Sequence, residues 1–240
     1  MSRRLSVLPA SFVLGAALTV GAASPASAAP APVVASVGQL SAKTPFPGLR
    51  VSAIKNKSAG ALRAAKYFHV TGNELDKTLG RASIDFQVSS GRSSGRISSA
   101  KGTFKVIRIG TEAWFSYDAK LAATMKLPAD AVGSWCKINN KSASWGDIVD
   151  LTSQYTWYKW IAGMSLSSRA QGKPFTGTPT IRLVQPGKKG GSLYVATSGP
   201  AFPRYAHRND NLFTYSFFAY NVPFSVEAPS DKVVDLTASA

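Results

Sequence analysis

The sequence has few of the residues from which catalytic and metal sites are usually built. In 240 residues it has one cysteine, Cys136, and two histidines, His69 and His207. One cysteine excludes an internal disulfide, so the core and the sheet must supply the stability of the fold. "GSWCKIN" (133–139) reads as a strand, which makes Cys136 a buried structural thiol rather than a nucleophile. There is no G-x-S-x-G elbow, no H-E-x-x-H zinc helix and no glycine-rich loop opening a helix to cradle phosphate. S-x-x-K occurs twice, Ser52 to Lys55 and Ser98 to Lys101, without the K-T-G or S-D-N that would give it meaning. His69 reads as a packed or rim residue of an apolar strand, and His207 as a solvated strand end. A pair of His207 with Asp210 is conceivable, but no nucleophile completes it. These absences predict a protein that is not an enzyme and has no cofactor and no metal site.

Acidic residues are scarce: 12 stand against 28 basic ones, a net charge of +16. Such a balance disfavours cationic partners and favours transient contact with an anionic membrane or cell-wall surface. The basic residues are scattered, with short clusters at 55–57, 91–96 and 187–191, and none has the interleaved aromatics of a single-strand binder. No nucleic acid is expected as a partner, and the chain is expected to be a monomer.

Long apolar runs are also lacking after the first. Arg3 and Arg4 precede an Ala- and Gly-rich stretch, Leu5 to Ala23, which is short for a bilayer span and leads to Ala26-Ser27-Ala28. A positive start, an apolar middle and a small-residue site predict a secretory signal peptide over 1–28, cleaved after Ala28. "SRRLSVL" leaves the general and twin-arginine export routes both open. No cysteine follows to take a lipid, so a released, extracellular protein of the cell envelope is expected. Residues 29–43 read as a disordered Pro/Ala-rich tail, and 44–240 as a single domain large enough for a sizeable core.

What is there reads mainly as strands. Residues 51–67 suggest an amphipathic helix with Val51, Ile54, Ala61, Leu62, Ala65 and Phe68 inward, weakened by Gly60. "YFHVTG" and "ASIDFQVSS" follow, the second alternating Ile84, Phe86 and Val88 against Ser83, Asp85 and Gln87. Turns at Gly91, Gly102 and Gly110 continue an antiparallel meander. In "FKVIRIGTEAWFSYD" (104–118) apolar residues lie on both faces of the strands, so the second face also needs a cover. A helix over 118–127 starts at an Asp118 cap and stops before Pro128. A longer helix over 144–164 carries Ile148, Leu151, Tyr155, Tyr158 and Ile161 on one stripe, with Trp145, Trp157 and Trp160 off it. Strands return in "TPTIRLVQ", "GSLYVATSG", "FPRYAHRN" and "NLFTYSFFAYNVPFSVEAP", the last split by a kink at Asn221-Val222-Pro223 into two apolar runs. The total is eight or nine strands with two or three helices.

"GTFKVIRIGTEAWFSYD" with its following helix and "GSWCKI", then "GSLYVATSGPAFPRYAHR", then "YSFFAYNVPFSVEAPSDKVVDL" resemble, in order and spacing, the actinobacterial envelope proteins related to LppX and LprG. These have the LolA-type half-barrel. The resemblance runs from about residue 50 to 238. It implies an α+β fold in which a strongly curved antiparallel sheet, a half-barrel, has its concave face covered by helices. It further implies a carrier for a hydrophobic or lipidic ligand held between the layers. The chain would be a non-lipidated member, having Ala29 where relatives carry a lipidated cysteine. The cavity candidates are Phe86, Val88, Phe104, Val106, Trp114, Trp157, Trp160 and Phe217, with Trp157 and Trp160 at the mouth beside Lys159 and with Ile148, Leu151 and Tyr155 against the sheet. The alternative is a half-barrel filled by its own side chains, acting through its surface as a cell-wall scaffold or adhesion module.

Overall fold

Strict alternation along the second strand organises the molecule: Ala82, Ile84, Phe86 and Val88 are buried while Arg81 and Ser83 are exposed and Asp85 and Gln87 half-buried. One side of that strand therefore has to be covered by protein. The computed structural model describes residues 46–139, 146–230 and 232–235, without the side chains of 139 and 146–148. All belong to the compact unit Ala42–Ala240. The expected signal peptide (1–28), the expected tail (29–43), Trp145 and the side chain of Ile148 lie outside the described residues. No helix among the described residues is long and apolar enough to cross a membrane.

The strands are β1 (Tyr67–Asp76), β2 (Gly80–Ser89), β3 (Arg92–Ser99), β4 (Gly102–Ile109), β5 (Glu112–Tyr117) and β6 (Trp135–Asn139). After them come β7 (Ser168–Gln171), β8 (Thr180–Gln185), β9 (Gly191–Ala196), β10 (Pro203–Arg208), β11 (Phe213–Phe218) and β12 (Val233–Asp235). They form one curled, open sheet in the order β12-β6-β5-β4-β3-β2-β1-β11-β10-β9-β8-β7. Two antiparallel meanders, β1–β6 and β7–β11, meet where β1 pairs β11, and β12 adds a parallel strand to β6. The fold is the expected α+β half-barrel, with twelve strands among the described residues rather than eight or nine. Short β7, exposed throughout, and three-residue β12 show too little alternation to be read from sequence.

Helix α1 (Val51–Ala64) turns Ile54, Ser58, Ala59 and Leu62 inward. Ala59 is buried where Ala61 was expected, Leu62 is buried as expected, and Phe68 belongs to β1. Helix α2 (Ala119–Met125) starts as expected: the Asp118 carboxylate accepts from the Leu121 amide at 2.8 Å and from the Thr103 amide at 2.9 Å. This bond satisfies one of the amides a helix start leaves unpaired, and Pro128 lies just past the end.

The long helix expected over 144–164 is two, α3 (Gly146–Leu151) and α4 (Gln154–Ala162). Thr152 and Ser153 donate their amides to Val149 and Asp150, closing a tight turn, and Ser153 is extended (φ −93°, ψ 124°). The break resets the helical phase. Tyr155, expected against the sheet, is 57% exposed, whereas Trp157, expected at a wet mouth, is 3% exposed. Beyond β11, Ala219 and Asn221 have positive φ, and the run Val222–Val226 is irregular rather than a strand. Val226 is buried there and Val222 exposed.

Candidate functional site

The pairing register assigns side chains to the two faces. Val70, Phe86, Gly95, Val106 and Phe115 lie opposite one another across β1 to β5, and Val70 pairs Phe217 on β11. Phe68, Ile84, Val88, Phe104, Tyr117, Tyr215, Leu193 and Leu183 extend the same face, and all are buried in one continuous cluster with Ile54, Leu62, Trp157 and Ile161 of the helices. At about 1.5–3 kcal/mol for each large apolar side chain taken from water, this interface is the main source of stability.

Seven of the eight cavity candidates lie in this layer. Phe86, Val88, Phe104, Val106, Phe217 and Trp157 are buried, and Trp160 packs against the cluster partly exposed. Trp114 does not join them. It pairs Ile107 on the opposite face, where Lys137 Nζ sits 5.9 Å from its ring centroid, so its expected place in a cavity is corrected. Strand alternation puts Phe115 and Tyr117 in the layer instead. The double-faced apolar pattern of 104–118 is thereby explained: one face meets the helices, and the other holds Ile107, Ile109 and Trp114.

Aromatic rings concentrate where α4 crosses β11. Trp157 stands edge-on to Tyr215, Phe217 and Trp160 at 5.2, 5.7 and 6.0 Å, and Trp160 edge-on to Phe213 at 5.1 Å. Edge-to-face rings at such spacings add about 0.5–1.5 kcal/mol per pair beyond burial. Trp157 Nε1 donates to the Leu151 carbonyl at 2.8 Å, which satisfies the indole inside the protein.

The polar groups of the interior tie the helices together. Gln154 Nε2 donates to the Leu62, Arg63 and Ala65 carbonyls at 2.8, 3.1 and 2.7 Å. Lys55 Nζ donates to the Ala162 and Met164 carbonyls at 2.6 and 3.1 Å. The start of α4 is thus bound to the end of α1, and the start of α1 to the end of α4, where a cation also meets the negative helix terminus. At the α3–α4 turn the Thr152 carbonyl accepts from Ser93 Oγ at 2.5 Å and from Arg108 Nη2 at 3.3 Å. Arg108 was not singled out from sequence. Burial holds its pKa below the usual guanidinium value, and it bonds carbonyls and a hydroxyl. Glu74 likewise accepts from the Tyr215 hydroxyl at 2.5 Å, and burial raises its pKa.

The chemistry expected to be absent was read from residues whose places are now clear. Cys136 is a buried thiol, its pKa raised by burial. Asp210 pairs Arg208 at 2.6 Å rather than His207, and His207 is half-buried among aromatic rings rather than at a solvated strand end. Among the described residues no group of three His, Cys, Asp or Glu side chains is placed to hold a metal ion.

Two hollows open elsewhere. One of about 500 Å³ runs along α2 and the 3₁₀ turn Ala129–Ala131, lined by Ala119, Ala122, Ala123, Leu127, Val132 and Lys126. The other, about 370 Å³, lies on the strand face away from the helices.

No family model matches the chain, and no curated protein matches it. Solved structures do. LppX, a lipoprotein of Mycobacterium tuberculosis, is 16% identical, with 74% of this chain and 98% of LppX covered at a TM-score of 0.46. LprF of Mycobacterium bovis is 10% identical, with 75% of this chain and 97% of LprF covered at a TM-score of 0.50. The chain therefore shares the fold of LprF, a curled, mostly antiparallel sheet with helices over one face.

Proposed function

We propose that the protein is a secreted, non-catalytic binding or carrier protein of the cell envelope for an apolar, lipid-like ligand, taken up between the sheet and the α1–α4 pair. One observation carries the reading. Helices α1 and α4 are clamped to each other at both ends by directional hydrogen bonds, while they meet the sheet through aromatic and aliphatic side chains. Apolar contacts are non-directional, so the pair can shift over the sheet as one cover at less cost than it can come apart. The ties of Ser93 and Arg108 to Thr152 stand where such a cover would pivot. The LprF-like fold and the family resemblance of the sequence support the same reading, as does the excess of basic over acidic residues that remains without Arg3 and Arg4, for brief contact with an anionic membrane or wall.

A second reading is favoured by the filled interior. Phe68, Phe86, Phe217 and Ile161 are at most 1% exposed, as in a core that needs no ligand. The protein would then be a surface or scaffold module. Titration with a fluorescent fatty acyl probe, monitored by energy transfer from tryptophan, separates the two. The carrier reading expects saturable binding and a co-purifying lipid in native mass spectra of protein from its own host. An absence of both would discard the carrier and leave the surface module.

A further inference from the structure

The strand face away from the helices is not uniform. Across β3, β2, β1 and β11 it holds Arg96, Ser83, Thr71, Asn73, Thr214 and Ser216, which line the 370 Å³ hollow. Its acidic wall residue, Asp85, is engaged by His69 Nε2 at 2.6 Å. Directly beside it, Ser216 faces Tyr205 and Thr214 faces His207 across the β10–β11 ladder. There the surface changes to rings and cations. Tyr205 stacks on Phe175 at 4.9 Å, Tyr194 stands edge-on to both, and His207 lies 5.5 Å from Tyr205 and 6.2 Å from Tyr194. Lys173 Nζ sits 5.1 Å from the Phe175 ring centroid and 5.9 Å from that of Tyr205; the Arg182 guanidinium lies 5.9 Å from Tyr194. Arg182 spends only Nε, on Ser192 Oγ at 2.8 Å.

Among the described residues neither Lys173 nor Arg182 forms an ion pair with a carboxylate. Between Asp150 and Asp210 the chain has eight Lys and Arg residues and no Asp or Glu. His207 Nδ1 is buried without a hydrogen-bond partner among the described residues. A buried polar atom left unpaired is costly, and a cation cluster without carboxylates is held against its own repulsion.

We propose that this open face binds an anionic saccharide, its sugar rings in the hydroxyl-lined hollow and its acidic group in the cluster of Lys173, Arg182 and His207. Hydroxyl and amide side chains offer donors and acceptors together, which suits a polyhydroxylated ligand. Charge-assisted bonds to Arg and Lys hold its acid. A membrane surface fits less well, because the rings pack on one another instead of protruding. The exposed large apolar residues Leu75, Tyr155, Val222 and Val233 lie outside the patch. The inference does not involve the interior, so its failure leaves the carrier reading untouched.

His207 reports on the site. Burial first, then Arg182 on β8 and Lys173 on the preceding loop, lower its pKa; Tyr194 on β9, Tyr205 on β10 and Thr214 on β11 complete its surroundings. A bound anion offsets the two cations and raises it. The experiment is imidazole NMR of the full chain titrated with a galacturonic acid tetramer at constant ionic strength. Saturable binding that moves the His207 titration to higher pH is expected. Maltotetraose, with as many rings and no charge, should bind at least about tenfold more weakly, as should the tetramer to Lys173→Gln or Arg182→Gln. Lys173 is exposed, so its variant tests the site without risk to the fold. An unmoved His207 titration, or wild-type affinity in both variants, would overturn the proposal. Binding to phosphatidylglycerol vesicles without binding to the tetramer would replace it with a membrane-docking face.

Discussion

Glu74 is the acidic side chain that β1 turns toward the helices, opposite Phe213, with the Tyr215 hydroxyl on its carboxylate. Burial raises its pKa, the Tyr215 bond opposes this, and Asp76 adds to it. A carboxyl whose folded pKa lies above its unfolded value favours folding while protonated. Its stabilising contribution is complete below the unfolded pKa and is lost as pH rises through the folded one. Glu74→Gln should therefore gain stability relative to wild type at pH 7 and little or none at pH 4, compared by urea unfolding at both. Ser93 offers a second test. Its buried hydroxyl donates to Thr152 in the turn between α3 and α4, and Ser93→Ala should cost about 1–3 kcal/mol by the same measurement. If the turn is the pivot of a cover, this variant should also take up acyl probe faster in stopped flow.

The elements differ in how openly their residues announce them. Asp118 and Pro128 frame α2 with local chemistry, and Ile84, Phe86 and Val88 alternate cleanly along β2, so both could be read from the sequence. The split between α3 and α4 could not. Thr152 and Ser153 are tolerable inside a helix, and what breaks it is remote: Ser93 and Arg108 claim the Thr152 carbonyl from β3 and β4. Once the phase is lost, the stripe of Leu151, Tyr155 and Tyr158 misleads, and Trp157 turns inward. The variants follow from the observed phase. Trp157→Ala should lose about 3–5 kcal/mol and Tyr155→Ala less than about 0.5 kcal/mol, measured side by side in denaturant. Near-equal losses would restore the single-helix register. Trp114 misled for a simpler reason: aromatic character says nothing of which face a strand residue takes, and only the pairing with Ile107 decides it.

At the scale of the molecule, the half-barrel was legible through the order of its segments, whereas the open face was not. Its parts come from the loop before β8 and from strands β1 to β3 and β8 to β11, and each alone reads as an ordinary strand or loop. The same sheet order has a kinetic consequence. Within each meander, partners are neighbours in sequence, but the seam joins His69 to Phe218, so its closure must gather nearly the whole domain. Each meander can therefore condense early, leaving the seam as the slow event. Gly72 lies on that seam, where a Cβ would come within 2.0 Å of the Thr214 carbonyl oxygen. Gly72→Ala should accordingly slow refolding much more than it perturbs either meander. In pulsed hydrogen exchange, amides of β2 to β5 should gain protection at nearly wild-type rates while β1 and β11 lag, so that the two halves of the chain wait for each other in a half-joined state.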